Sequence, residues 1–112
     1  MNNNKKMIEI ADKIINLYNT YGWCRDTEAK DKKGKSVGIK SPKAASFCMM
    51  GAIERCTGYG NPRENFTDMF NSFVEKITGK TIVNTNDTIL KNKREAVKLF
   101  KKFKKTLEQE NG

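Results

Sequence analysis

The chain has 112 residues, a length that suits one domain with a single hydrophobic core. Its 22 lysine and arginine residues outnumber 13 aspartate and glutamate residues, which gives a formal net charge of +9 and favours anionic partners. The periodic apolar residues exclude a disordered chain, and no apolar stretch is long enough for a membrane helix.

The N-terminal segment does not resemble a secretory signal, because Glu9 and Asp12 interrupt its apolar residues. The chain also has three cysteines, an odd number. Together these features predict a cytoplasmic protein with free thiols and no membrane association.

The first predicted element is a helix over residues 4–21, where apolar residues recur at steps of three and four. Gly22 then takes the position of a C-terminal glycine cap. The polar stretch that follows turns near Gly34. We expect it to form a small hairpin or an extended loop.

Ser41 and Pro42 predict the start of a second helix over residues 42–56, because proline suits the first helical position. Small residues run along this segment, so another element can approach it closely, with Trp23 or the aromatic face of the third helix as the expected neighbour. The predicted core-packing motif consists of Trp23, Pro42, Ala44, Cys48, Gly51 and Ala52.

A third helix is predicted over residues 62–78, and a fourth over residues 92–109. The segment between them is β-branched and rich in turn residues, so we expect an extended crossing there. The sequence thus predicts a mainly α fold in a single domain over residues 1–112. Its architecture is a compact bundle of about four helices, with the hairpin or extended loop between the first and second helices.

The pattern of cysteines argues against a metal site. Cys48 and Cys56 are eight residues apart, which on a helix separates them by about 12 Å, and the chain has no histidine. Cys24, beside Arg25, is the best candidate for a nucleophile, but it lacks a histidine base. We therefore expect no metal, no cofactor and no catalytic residue, and we expect buried thiols that pack as small apolar groups.

The last predicted helix carries a row of basic residues opposite its apolar face, and the polar loop after the first helix forms a second basic region. Such a row suits a series of phosphates or an acidic protein, although a solvated helix surface is the simpler explanation. The candidate binding residues are Lys91, Arg94, Lys98, Lys101, Lys102 and Lys105 in the helix, with Lys33 and Lys35 in the loop.

Several of these features occur together in one order along the chain. Gly22-Trp23 is followed by a polar turn, by Pro42-x-Ala44-x-x-x-Cys48-x-x-Gly51-Ala52-Ile53, and by Asn86-Asp87 before the last helix. This pattern resembles a family of small uncharacterised proteins from bacteria and their phages. The likeness spans about residues 8–107 and departs at Thr85, where the family has a tryptophan. The resemblance implies the helical fold and a bacterial or phage origin, and it leaves the function open.

Three functions are consistent with the sequence. The first is a non-enzymatic basic protein that contacts an anionic partner, preferably nucleic acid, through its lysine-rich helix. The second is an accessory or inhibitory factor that acts on a host enzyme or defence system by binding a protein. The third is a small enzyme or nucleotide-binding protein, which a deep pocket lined by Trp23, Cys24 and the polar groups of residues 84–87 would favour.

Overall fold

The structure is a computed structural model that describes residues 3–58 and 60–111, so four positions of the predicted 1–112 domain lie outside it. Helices dominate the described residues, which confirms a mainly α fold. The elements in chain order are α1 (Asn3–Thr20), β1 (Gly22–Trp23), β2 (Ala29–Lys30), β3 (Ser46–Phe47), α2 (Met49–Thr57), α3 (Asn61–Thr78), α4 (Ile82–Asn84), a π-helical segment (Thr85–Ile89) and α5 (Lys93–Asn111).

The second helix begins at Met49 and not at Pro42, so the prediction of a helix over residues 42–56 was wrong in its first half. Ser41 and Pro42 instead begin a turn, in which the Ser41 hydroxyl accepts from the Lys43 N–H at 3.1 Å. The chain then extends as β3, whose backbone groups are paired on both sides and cannot also make helical bonds. Ala44 and Cys48 therefore precede the helix.

The three strands form one small sheet in the order β1-β3-β2. β3 is parallel to β1, with Trp23 opposite Phe47, and antiparallel to β2, with Ala29 opposite Phe47. The hairpin predicted near Gly34 follows β2: Gly34 has a φ of 86° and its N–H donates to the Asp31 carbonyl at 3.0 Å. The sheet thus joins the end of α1 to the start of α2.

The segment after α3 was predicted to be extended and is helical. The Thr81 hydroxyl accepts from the Asn84 N–H at 3.2 Å and so caps α4. The chain then widens into the π-helical segment, where the Leu90 N–H donates to the Thr85 carbonyl at 3.0 Å. This wider turn buries two polar residues, Thr85 and Asn86. For that reason this segment shows no helical spacing of apolar residues, and its sequence did not predict a helix.

The core lies between α1 and α5, which run antiparallel, with α2 and α3 packed against them. The antiparallel direction follows from contacts at both ends: Lys93 Nζ donates to the Tyr18 carbonyl at 2.7 Å, and Lys104 pairs with Asp12 at 2.7 Å. Aromatic rings fill the space between α3 and α5, and the Phe70 and Phe100 rings stack 4.4 Å apart. Burial of these rings stabilises the core.

The close approach predicted at Gly51 exists, but its partner is a loop and not an aromatic side chain. A Cβ added at Gly51 would lie 2.0 Å from the backbone oxygen of Glu28. The same carbonyl accepts from the Cys48 N–H at 3.1 Å, so the loop is held against the first turn of α2.

We expect Gly51→Ala to lower the free energy of unfolding by about 1–3 kcal/mol or more, because the added methyl group must push the Glu28 backbone away. Alanine is otherwise the better helix former, by about 1 kcal/mol. The measurement is urea unfolding followed by circular dichroism.

Gly38→Ala is the matched control, since nothing lies within 4 Å of the added Cβ at that position. It should leave the unfolding free energy nearly unchanged. Equal stability of the two variants would show that the Glu28 backbone moves away without cost.

Candidate functional site

The amide of Asn86 lies at the centre of a buried hydrogen-bond network. Its Oδ1 accepts from Trp23 Nε1 at 2.6 Å and from the Met49 N–H at 3.0 Å. Its Nδ2 donates to the Cys24 carbonyl at 3.1 Å and to Asp87 Oδ1 at 2.9 Å. One side chain, only 2% exposed, thus connects β1, the start of α2 and the π-helical segment.

Two neighbours of Asn86 extend this network to the loop after β1. Asp87 Oδ1 also accepts from the Asp26 N–H at 3.0 Å. The Arg25 guanidinium lies 5.5 Å from the Trp23 ring centroid and donates to the Leu90 carbonyl. The Trp23 ring is therefore half-buried between a cation and an amide, and its indole N–H already has a partner.

The cysteines are buried or half-buried thiols. Burial is the main reason that the pKa of Cys24 is raised, and it raises the pKa of both Cys48 and Cys56 to about 11. Cys48 is the N-cap of α2, where its sulfur accepts from the Gly51 N–H at 3.2 Å. At neutral pH these groups stay protonated, which makes them weak nucleophiles and suits them to packing.

A small cleft of about 340 Å³ opens beside this network, and Asn86, Asp87 and Cys48 line it together with Glu28. Trp23 and Cys24 do not line it, so it differs from the pocket that would have favoured an enzyme or a nucleotide-binding protein. Within residues 3–58 and 60–111, no group of three or more histidine, cysteine, aspartate or glutamate side chains is arranged to hold a metal ion.

The carboxyl group of Glu54, which interacts with Glu28 beside the cleft, has a raised pKa. Burial, followed by a hydrogen bond and charge repulsion from Glu28, raises the pKa of Glu54 to about 7, against the opposing effect of Arg63. The Glu54 side chain is 14% exposed and lies 3.4 Å from Arg63. It therefore changes charge near neutral pH.

The predicted basic residues of α5, with Lys91 just before the helix, form an exposed row, which we call the lysine ridge. It consists of Lys91, Arg94, Lys98, Lys101 and Lys105, with Lys102 at its flank. Among the described residues, none of these side chains forms a salt bridge, whereas Lys104 pairs with Asp12. The single acid within the row, Glu95, accepts from the Lys91 N–H at 2.7 Å and so caps the start of α5.

A groove of about 480 Å³ runs between the lysine ridge and the end of α1, where Tyr18 and Asn19 form its wall. Lys93, which the sequence did not single out, crosses this end of the groove. Its ammonium donates to the carbonyls of Tyr18 at 2.7 Å and Tyr21 at 3.3 Å, where the last carbonyls of α1 attract a cation.

The basic loop forms a second concave surface, which we call the hairpin cavity. It measures about 860 Å³ and contains the predicted residues Lys33 and Lys35. Thr20 and Tyr21 at the end of α1 form one wall, next in sequence to the two residues that line the groove beside the lysine ridge. The last turn of α1 thus lies between the two basic regions.

The structure also places the members of the predicted core-packing motif. Cys48, Gly51 and Ala52 are buried at the start of α2, and Ala44 is buried in the turn before β3. Pro42 is exposed at the rim of the hairpin cavity, which corrects its assignment to the packed core. The sequence pattern did not predict that Asn86 is the centre of the hydrogen-bond network. The one indication in the sequence was its position in the motif, directly before Asp87.

Comparisons with known proteins identify a family but no characterised relative. The model described as Family of unknown function (DUF6197) matches residues 3–105. No curated protein matches the chain, and no solved structure does either. None of the helices in the described part of the chain is long and apolar enough to cross a membrane.

We expect Asn86→Ala to lower the free energy of unfolding by about 2–4 kcal/mol, because it leaves Trp23 Nε1, the Met49 N–H and the Cys24 carbonyl without partners. Urea unfolding followed by Trp23 fluorescence measures this change. The control Asn84→Ala, at an exposed position two residues earlier, should have little effect. Comparable losses in both variants would contradict the role of the Asn86 amide.

The raised pKa of Glu54 predicts a stability that falls as the pH rises from about 4.5 to about 7. Stability falls with pH because the folded chain binds the Glu54 proton more tightly than the unfolded chain does. The folded chain must therefore release this proton, or hold an unfavourable charge, as the pH rises through this window. Glu54→Gln should therefore reduce the difference between the melting temperatures at pH 5 and pH 8. The exposed control Glu75→Gln should leave that difference unchanged.

Proposed function

We propose that this chain, which belongs to the Family of unknown function (DUF6197), is a small non-enzymatic protein that binds nucleic acid mainly through its phosphates. The lysine ridge is the primary contact, and the hairpin cavity extends it. The proposal includes a cytoplasmic location, in a bacterium or in the host of a phage.

The observation that carries this proposal is the exposed row of cations on α5 without salt-bridge partners among the described residues. From Arg94 to Lys105 the row extends about 17 Å along α5, and Lys91 lies just before the helix begins. A duplex presents a negative charge about every 1.7 Å along its axis, so a row of this length can lie beside many phosphates. Binding would release condensed counterions and relieve the repulsion between neighbouring lysines.

The position of the second basic region supports the same proposal. The groove beside the lysine ridge and the hairpin cavity are separated by one step along α1, from Asn19 to Thr20. Consecutive helical residues point about 100° apart, so a nucleic-acid strand that contacts both regions would bend around the last turn of α1. The ridge contains one arginine, Arg94, and lysine reads bases poorly, so binding should depend little on sequence.

A protein partner is the second candidate, and a different surface favours it. A groove of about 550 Å³ between α3 and α5 is lined by apolar side chains that include Met69, Phe73 and Ile77. Ile77 is 49% exposed and lies beside these other apolar side chains, which together suit contact with another protein. This groove would serve an accessory or inhibitory factor directed at a host enzyme or defence system.

We expect the unmodified chain to bind labelled oligonucleotides in a fluorescence-anisotropy titration, with an affinity that falls steeply between low and moderate salt. Lys98→Glu combined with Lys101→Glu should weaken binding about tenfold or more. It should also lower the slope of log affinity against log salt by about two, one for each lost phosphate contact.

Lys76→Glu combined with Lys80→Glu is the control, since it makes the same change in net charge at exposed positions at the end of α3 and just beyond it. It should weaken binding much less. Equal loss in both double variants would mean that net charge alone attracts the oligonucleotide. No binding at low salt would rule out nucleic acid as the partner. The second candidate would be favoured if the chain captures a protein from nuclease-treated lysate and the Ile77→Asp variant does not.

A further inference from the structure

The hairpin cavity differs from the lysine ridge because it is concave and contains an aromatic ring. Its volume of about 860 Å³ falls in the range of small-molecule sites. Ala44 and Ala45 form part of its wall, and their single methyl groups leave the space open. The cavity lies between the end of α1, the hairpin turn and the turn before β3.

Two rings line this cavity. Tyr21 is half-buried, and its ring is held by an edge contact with the buried Phe47 ring, whose centroid is 5.4 Å away. Its hydroxyl has no hydrogen-bond partner among residues 3–58 and 60–111. Pro42 is exposed on the same cavity. A half-buried aromatic ring that is packed against the core and lines a cationic cavity suits a stacking platform for a nucleobase.

Four lysines line the same cavity as the two rings. They are all exposed, and none forms a salt bridge within the described part of the chain. These residues are Lys32, Lys33, Lys35 and Lys43.

One carboxylate opposes these four cations. Asp31 also lines the cavity, and its Oδ1 accepts from the N–H groups of Lys33 and Lys35, both at 2.9 Å. These bonds hold the carboxylate in the hairpin turn and offset part of its charge. The cavity therefore keeps a net positive charge.

We propose that the hairpin cavity seats one nucleotide of a single strand, with the base stacked on Tyr21 and the adjoining phosphates held by the surrounding lysines. This inference rests on the proposed function and adds a preference to it. A paired base in a duplex cannot turn its face towards Tyr21, whereas an unpaired base can. The chain should thus prefer single-stranded to duplex nucleic acid.

The test compares binding of a labelled oligothymidine and a duplex of equal length by fluorescence anisotropy at fixed low salt. We expect Tyr21→Leu, which keeps an apolar contact with Phe47, to weaken single-strand binding about tenfold and duplex binding by less than twofold. Tyr21→Phe retains the ring and should keep the single-strand affinity. Lys33→Glu combined with Lys35→Glu should also reduce the preference for the single strand.

A second measurement needs no variant. An oligothymidine that carries 5-iodouracil is irradiated with the unmodified protein, and the cross-linked peptide is identified by mass spectrometry. A cross-link at Tyr21 supports the seat, and cross-links at other residues alone overturn it.

The results separate this inference from the proposed function. Equal binding of single strand and duplex, weakened by Lys98→Glu and Lys101→Glu but not by Tyr21→Leu, overturns the nucleotide seat and leaves the proposed function standing. Absence of binding to both oligonucleotides at low salt overturns both.

Discussion

The hydrogen bonds of the Asn86 amide are the constraint on which the rest of the structure depends. The sheet is too small to be stable by itself, since each strand has two residues. Asn86 connects β1 to the first turn of α2, and the loop between β1 and β2 is thereby held near Gly51. A buried amide with four partners gives this junction one geometry, because any other arrangement leaves polar groups without partners.

This constraint explains why several motif residues meet at one junction, whereas Pro42 and Ala44 of the same motif line the hairpin cavity. The junction consists of residues whose side chains or backbones already contact one another or the Glu28 loop. These are Trp23, Cys48, Gly51 and Asn86. They hold the polar loop in a fixed position. Backbone bonds of the sheet link this junction to the hairpin cavity, since the N–H of Ala45 in the cavity wall donates to the Lys30 carbonyl at 2.8 Å.

Charge and shape make different contributions to the candidate interface. The lysine ridge is a linear array on one helix, which suits phosphates of any sequence, whereas the hairpin cavity adds a ring in a concave space. The Lys93 ammonium instead donates hydrogen bonds to carbonyls at the end of α1, so it is less able to bind a phosphate. A cationic surface therefore cannot be inferred from lysine counts alone, because some ammonium groups stabilise the fold.

The sequence by itself determined the long helices, since α1, α3 and α5 each have an apolar stripe whose period needs no tertiary information. It also determined the lysine ridge, because residues three and four apart on a helix share a face. Only the tertiary structure decided the path of residues 41–48 and 80–90. Local signals at Pro42 indicated a helix, but β3 pairs with two strands distant in sequence, and these bonds outweigh local propensity. The hairpin cavity and the role of Asn86 likewise depend on contacts between residues more than 20 positions apart, which no local pattern encodes.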